Sequence, residues 1–248
     1  MNNILIVTGG SRGIGAATAK LAAAEGYQVC INYLTNQQAA DAVVAEIRSL
    51  GGTAVAMQAD LAVEAQIVAL FQRVDKELGA VTALVNNAGI LETQSSLLDM
   101  NEGRLQRVFA ANVIGPMLCA REAVKRMSVK LGGKGGAIVN VSSAAARLGA
   151  AGEYIDYAAS KGALDTFTIG LSKEVADKGI RVNSVRPGFI YTDIHASGGE
   201  PGRVDRIKGS IPMKRGGQPE EVAQAILWLL SEQASYATGT FIDLAGGR

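Results

Sequence analysis

The sequence is poor in the residues that build cross-linked or metal-bound proteins. Its 248 residues include two cysteines, Cys30 and Cys119, and one histidine, His195. The cysteines lie far apart and make no metal-ligand spacing, which fits buried thiols of a reducing compartment. An excess of one charge is also missing. There are 24 Lys and Arg against 23 Asp and Glu, a net +1, so nothing in the charge points to a nucleic-acid or membrane partner. No apolar run approaches the roughly 18 residues of a membrane span. The opening MNNILIVTGG lacks a basic region and has an apolar run of only four residues, a poor secretion signal and a good first strand. The expectation is a cytoplasmic protein. A Pro/Ser-rich linker, a composition shift and a fixed-period repeat are absent too, and the chain reads as one domain, 1–248.

What is abundant is glycine, with 30 residues, and hydrophobic side chains, at 48%. That composition suits a large core joined by many tight turns. Short apolar runs at Ile4–Thr8, Gln28–Asn32, Thr53–Gln58, Ala83–Asn86, Ala137–Ser142, Arg181–Val185 and Phe241–Leu244 read as strands. Amphipathic stretches such as Ile14–Glu25, Gln37–Leu50, Ala65–Leu78 and Ile155–Lys178 lie between them, and a further helix is read from Asn101 to Lys130. Nearly continuous Val/Ile/Leu strands are buried on both faces, so the alternation predicts an α/β doubly wound Rossmann fold with a seven-stranded parallel sheet.

The first strand runs into Thr8-Gly9-Gly10-Ser11-Arg12-Gly13-Ile14-Gly15 before a helix begins. The spacing of glycines 9, 13 and 15 is not G-x-G-x-x-G, but the physics is shared. Glycines permit a tight turn and close approach of the backbone to a pyrophosphate, and the helix N-terminus offers free N–H groups to it. A plain glycine turn is the alternative. An acidic residue about 20 residues further on would favour NAD. The second strand instead ends Asn32-Tyr33-Leu34-Thr35-Asn36, with no carboxylate to repel a 2′-phosphate and with Arg12 in the loop to attract one. The reading is NADP(H), with NAD as the alternative if Arg12 is only a surface charge and Asn32 serves the ribose. In Ala59-Asp60-Leu61, Asp60 could accept the adenine amino group or cap the next helix. Asn86-Asn87-Ala88-Gly89 suits a backbone lying against adenosine, or a simple turn.

Tyr157 and Lys161 stand four apart in a predicted helix and so share a face. An ammonium beside a phenol stabilises the phenolate, and so does an oxidised nicotinamide. Lowering a tyrosine pKa by about three units needs roughly 4 kcal/mol, which a desolvated site can supply and an open surface cannot. Fourteen residues upstream, the fifth strand ends in Asn140-Val141-Ser142-Ser143. A serine at a parallel strand's carboxyl end faces the ligand crevice, where its hydroxyl can hold a substrate oxygen.

Thr-Gly-x-x-x-Gly-x-Gly at 8–15, Asn-Asn-Ala-Gly at 86–89, Asn112, Ser143, Tyr157-x-x-x-Lys161 and Pro187-Gly188 occur in one order with compatible gaps. Over essentially its full length the chain resembles the short-chain dehydrogenase/reductase family, and within it a bacterial subgroup of uncharacterised oxidoreductases carrying the pattern seen here at Gly152–Lys161. The resemblance implies Tyr157 as general acid/base, Lys161 binding the nicotinamide ribose and lowering the tyrosine pKa, and Ser143 holding the substrate oxygen. Ser143 is chosen over Ser142 because it matches the second serine of the family's strand-end pair, although the gap to the tyrosine is one residue longer than the commonest spacing. Asn112 would fix a water that relays protons from Lys161, Asp60 would meet adenine, and Ile190 and Thr192 would meet the carboxamide and pyrophosphate. The implied reaction is metal-free hydride transfer between NADP(H) and a small carbonyl or alcohol, such as a sugar, polyol or ketone.

The stretch 192–218 is rich in glycine and charge, and in that family it forms a mobile lid. His195, Arg203, Arg206 and Lys208 could touch an anionic or polyhydroxyl substrate there or belong to a solvated loop, with His195 read as a surface or packing residue. Glu153, Tyr154 and Asp156 flank the tyrosine and could hydrogen-bond a sugar. Arg104, Arg107, Arg121, Lys125 and Arg126 read as a solvated helix face, whereas the resemblance implies long helices pairing in a homotetramer. Trp228 could join a second interface or pack in the core. Two rival functions are a 3-oxoacyl-acyl-carrier-protein reductase, with Lys130, Lys134 and Lys178 as a docking patch, and a non-catalytic NADP-binding regulator.

Overall fold

The computed structural model describes residues 3–248. Seven parallel strands, β1 (Ile4–Val7), β2 (Gln28–Tyr33), β3 (Thr53–Gln58), β4 (Ala83–Asn86), β5 (Gly136–Val141), β6 (Ile180–Pro187) and β7 (Phe241–Leu244), form one sheet in the order β3-β2-β1-β4-β5-β6-β7. The seven expected strands are all present, and the ends differ by a residue or two, as strand ends do.

Alternation along each strand divides the apolar side chains between two cores. Leu5, Val7, Val29, Ile31 and Val139 face α1 (Gly13–Ala24), α2 (Gln37–Ser49) and α10 (Pro219–Leu230). Ile4, Ile6, Cys30, Met57 and Ile138 face α3 (Glu64–Glu77), α5 (Gly115–Met127) and α7 (Ile155–Val175). Each fully buried side chain of this size contributes about 1.5–3 kcal/mol, so the central strands need covering on both faces. Cys30 and Cys119 sit in the second core, and loss of hydration pushes both thiols up to about 12. They behave as small hydrophobes.

The long helix expected over Asn101–Lys130 is interrupted. A π-helical turn, Ala110–Ile114, joins α4 (Glu102–Phe109) to α5. The extra residue in such a turn widens the helix and redirects side chains, and here it carries Asn112 to full burial. Gly115 follows because a Cβ there would lie 2.6 Å from the Leu61 carbonyl oxygen. Three short helices lie in the chain's carboxyl half, α6 (Ala145–Leu148) after β5 and α8 (Ile194–Ser197) and α9 (Arg203–Ile207) between β6 and α10; α7 itself ends in a 3₁₀ turn, Ala176–Lys178.

Close packing between α1 and the loop before it rests on one glycine. A Cβ on Gly15 would lie 2.4 Å from the Gly9 carbonyl oxygen and 2.5 Å from Asn87 Nδ2. Gly15→Ala should therefore lower stability by about 1–3 kcal/mol, the usual cost of overpacking. The readout is the urea midpoint, and a midpoint equal to wild type would show that the loop yields freely.

Candidate active site

The order of the sheet reverses between β1 and β4, and a crevice opens outside their carboxyl ends, where folds of this type bind ligands. Here it is a cleft of about 820 Å³. Thr8 and Asn87 tie its two sides together. Thr8 Oγ1 accepts the N–H groups of Asn87 at 2.9 Å and Ala88 at 3.0 Å, and Asn87 Nδ2 donates to the carbonyls of Thr8 at 2.9 Å and Gly9 at 3.0 Å. Below them, Asn86 donates to Asn140 at 2.9 Å and Asn140 to Thr168 at 2.8 Å, a buried amide chain linking β4, β5 and α7.

Of the residues expected to touch a nucleotide, all but Gly15 line the cleft. Gly15 acts one layer back, in the packing described above. Gly9 and Gly13 hold φ of +60° and +52°, a left-handed conformation that strains any side chain with a Cβ. Helix α1 begins at Gly13 with no side chain capping it and no acidic residue in its first turn. Its leading N–H groups and partial positive charge remain for an anion, so the residues fit a dinucleotide pyrophosphate. Arg12 is exposed beside them and makes no ion pair among the described residues. Asn32 lines the cleft, but its amide is committed. It accepts from the Gly9 N–H at 3.3 Å and donates to the Ala59 carbonyl at 3.1 Å. Asp60 does not cap α3; one of its oxygens accepts the Ala62 N–H at 2.9 Å, closing a turn at the cleft wall.

At the other end, Tyr157, Ser143 and Lys161 come together. The Ser143 hydroxyl faces the Tyr157 phenol closely enough to lower its pKa, and it accepts the Ala145 N–H at 3.1 Å. Lys161 Nζ stands 5.5 Å from the centre of the tyrosine ring and donates to the Val141 carbonyl at 2.8 Å. Loss of hydration pushes Tyr157 up to about 12 against the opposing effect of Ser143, although part of the residue stays open to the cleft. The same desolvation pulls Lys161 down to about 8, with Asp165 opposing it. Ser142 is buried and directs its hydroxyl to the Lys161 carbonyl, 3.3 Å away. A Cβ on Gly89 would crowd Asn112 Oδ1 at 3.3 Å and would meet Lys161 Nζ at an ordinary contact distance of 3.5 Å. Asn112 stands behind the cleft wall and does not line it. Its two amide protons go to the Ile90 carbonyl at 3.0 Å and Ser160 Oγ at 3.1 Å, which leaves no side-chain donor for the expected water.

The lid residues divide. Arg203 lines the cleft, pairs with Glu153 and Glu200, and lies 4.8 Å over the Tyr154 ring. Arg206 and Lys208 are tied to Glu200 and Asp205 and do not line the cleft. His195 is buried yet also lines the cleft, with Nε2 3.0 Å from the Ile190 carbonyl, and burial lowers its pKa. The Tyr154 hydroxyl donates to the Gly198 carbonyl at 3.0 Å. Asp156 is not available to a sugar, because it is 4% exposed and paired with Arg104. That pairing also corrects the reading of Arg104 as part of a solvated face. Lys130 and Lys178 precede β5 and β6 and so lie at the sheet's amino edge, opposite the cleft; they pair with Asp177 and Glu174. Trp228 is 43% exposed and so is not a core residue.

Sequence reasoning missed Ser160, the Asn86–Asn140–Thr168 chain and the carboxyl-end pair Phe189 and Arg248. Ser160 passes the Asn112 bond on to the Tyr157 carbonyl at 2.7 Å. Its place inside the tyrosine-to-lysine spacing was the available signal. Arg248 lies 5.1 Å over the Phe189 ring, and both line the cleft; no local pattern marks that contact. Among the described residues no cluster of His, Cys, Asp or Glu is arranged to hold a metal, and no helix is long and apolar enough to cross a membrane.

A family model described as enoyl-(acyl carrier protein) reductase matches residues 9–248. An uncharacterised oxidoreductase of Escherichia coli, YgfF, is 64% identical over 245 residues, covering 99% of each chain. A 3-oxoacyl-[acyl-carrier-protein] reductase of Synechocystis is 41% identical over 245 residues, 98% of this chain and 96% of the relative. The crystal structure of a dehydrogenase/reductase from Sinorhizobium meliloti superposes with a TM-score of 0.91 at 33% identity, covering 99% of this chain and 94% of the other. A mutant short-chain dehydrogenase/reductase of Serratia marcescens also reaches 0.91, at 32% identity, over 99% and 97% of the two chains. Relatives this similar over nearly their whole length share both sequence and fold with it, and the chain is an oxidoreductase belonging to the short-chain dehydrogenase/reductase family.

Proposed function

We propose that the protein moves a hydride between NADP(H) and a small carbonyl or alcohol substrate, a sugar, polyol or ketone, with Tyr157 as general acid/base. Members of the family bind NAD(P). The observation that carries the reading is the Ser143–Tyr157–Lys161 group at the floor of a cleft that continues to the uncapped start of α1. The bound nicotinamide supplies or takes the hydride. Ser143 donates a hydrogen bond to the substrate oxygen, and in reduction the Tyr157 hydroxyl hands its proton to that oxygen as negative charge develops there. With its pKa pushed up to about 12, the tyrosine is an acid at neutral pH in the ligand-free protein. Oxidation needs the phenolate, which the Lys161 ammonium and a cationic nicotinamide would stabilise. Asn112 serves by holding the main chain of Ile90 and, through Ser160, that of Tyr157.

NADP(H) rather than NAD is supported by Arg12 lying at the cleft unpaired and by the lack of a carboxylate at the end of β2. A homotetramer is supported by exposed apolar residues on the long helices, Met117 on α5 and Ile169 on α7, and by Ile114 on the π turn that precedes α5. The carrier-protein reductases among the relatives make a 3-oxoacyl thioester the alternative substrate. The lysines proposed for carrier docking lie at the wrong edge of the sheet for it.

Turnover is to be screened by NADPH consumption over sugars, ketones, quinones and 3-oxoacyl thioesters. Tyr157→Phe should then lose about 10²–10⁴-fold in kcat, the usual range for an acid/base group, with NADPH affinity by fluorescence titration within about threefold of wild type. Near-normal kcat from that variant would sink the mechanism. Arg12→Ala should lower the ratio of kcat/KM for NADPH over NADH about tenfold or more, consistent with loss of a charge-assisted bond to phosphate. A wild-type enzyme that prefers NADH would refute the assignment directly.

Lys161 gives a pH signature without any substrate. Its folded pKa is depressed from 10.5 to about 8. Below pH 8 both folded and unfolded chains hold the proton, and the cost of burying the ammonium is fully present. Between 8 and 10.5 the unfolded chain binds more protons, so stability rises with pH. Relative to Lys161→Met, the ligand-free wild type should gain stability across that window, up to about 3 kcal/mol in total. Parallel melting curves from pH 7 to 10 for the two proteins would contradict the depressed value.

A further inference from the structure

Directly before the tyrosine lies a second ionic device, which the proton-transfer chemistry does not use. Arg104, in the first turn of α4, and Asp156, in the first turn of α7, are 7% and 4% exposed. The guanidinium meets the carboxylate with both prongs, Nε to Oδ2 at 2.7 Å and Nη2 to Oδ1 at 3.3 Å. Its third nitrogen donates to the Thr93 carbonyl at 2.7 Å. Thr93 belongs to the loop after β4, whose residues Ile90 and Leu91 line the cleft. The backbone N–H groups at the start of α7, that of Tyr157 among them, help to hold the Asp156 carboxyl below its ordinary value. One guanidinium thus holds both the substrate-side loop and the residue next to the acid/base.

A buried ion pair is an expensive way to fill space. The loss of hydration of two charges roughly cancels their attraction, and apolar side chains of similar volume often give equal or better stability. What an apolar pair cannot supply is direction. The planar fork fixes the angle between α4 and the start of α7 and reaches the Thr93 carbonyl from the same plane. A carboxylate in the first turn of a helix is further favoured by the free N–H groups there. Burial would raise the Asp156 pKa, but Arg104 and those backbone N–H groups outweigh it. It stays charged at neutral pH.

We propose that Arg104 and Asp156 are positioning residues that set the Tyr157 hydroxyl against the substrate loop, so that order in the loop and alignment of the proton donor rise and fall together. This rests on Tyr157 being the acid/base, as argued above. The device parallels the Asn112 tie, in which Ile90 of the same loop is joined through Ser160 to the Tyr157 carbonyl. The loop and the tyrosine are therefore held together at two points, one neutral and one ionic.

The test combines kinetics with hydrogen exchange on the full-length protein. Asp156→Asn and Arg104→Lys should each lower kcat at least tenfold on the best carbonyl substrate from the screen, while NADPH affinity by fluorescence titration changes less than threefold. Without any substrate, amide exchange in Asp156→Asn should quicken in segment 90–96 as well as in 153–160. A carboxylate that merely caps α7 would loosen only the second segment. Because a single change strands one buried charge and could prevent folding, the double variant Arg104→Met/Asp156→Leu is the control. It should fold with a melting temperature near wild type and still show the tenfold loss in kcat and the faster exchange of 90–96. Wild-type kcat and wild-type exchange in the folded double variant would overturn the proposal and leave the pair a replaceable packing element. If Tyr157→Phe keeps its turnover, the acid/base reading fails first; if it loses turnover while the pair variants do not, only this inference fails.

Discussion

Thr8 and Asn87 join the carboxyl ends of β1 and β4 at the place where the winding of the sheet reverses. Apolar packing supplies no partners for the backbone N–H and C=O groups at the strand ends. The cross-link instead satisfies the polar backbone of both strand ends at a fixed separation and leaves the cleft open above them. Other features follow from it. Gly15 must lack a side chain because Asn87 occupies the space, and that contact seats the start of α1, whose uncapped N–H groups then face along the cleft. On the far side the Asn86–Asn140–Thr168 chain carries the same rigidity through β5 into α7, the helix that bears Tyr157 and Lys161.

Much of this was legible in the sequence, for a physical reason. Strands covered on both faces must be apolar at successive positions, so β1, β4 and β5 declare themselves as runs such as Ile4–Val7. Glycine at 9 and 13 is demanded by backbone conformation, and the Tyr157–Lys161 spacing by helical periodicity. The residues that went unread owe their places to tertiary contacts. Arg104 looks like any surface arginine until Asp156, 52 residues away, is brought to it. Asn112 stands in a π turn that no periodic pattern announces. Asn32 ends its strand where the cleft opens and lines it, while the tie of its amide to Gly9 and Ala59 is a tertiary contact that no local pattern announces. In the stretch 192–218 the charges answer one another, and Arg206 and Lys208 fit the solvated-loop alternative.

The chemical end runs on very few charges. Lys161 is buried with its ammonium bonded to the Val141 carbonyl, and desolvation lowers its pKa to about 8 against the opposing effect of Asp165. Tyr157 is shielded in the same way, with the Ser143 hydroxyl as its one stabilising neighbour. Such a site is quiet when empty, because neither proton is free to leave near pH 7. The arrival of a cationic ring would change the balance in one direction only, toward the phenolate. The burial that lowers the Lys161 pKa also costs the folded protein some stability while the ammonium is protonated.

Arg248 stacks on Phe189 at the rim of the cleft, whereas the amino end of β1 lies on the opposite edge of the parallel sheet. The two ends of the chain are therefore unequal neighbours of the chemistry. Peptide appended after Arg248 would emerge at the rim of the cleft, beside the Phe189 ring, whereas peptide placed before β1 would leave from the opposite edge of the sheet. Handles for purification, immobilisation or fluorescent labelling belong at the amino end, and a fusion at the carboxyl end would act as a crude plug for the site.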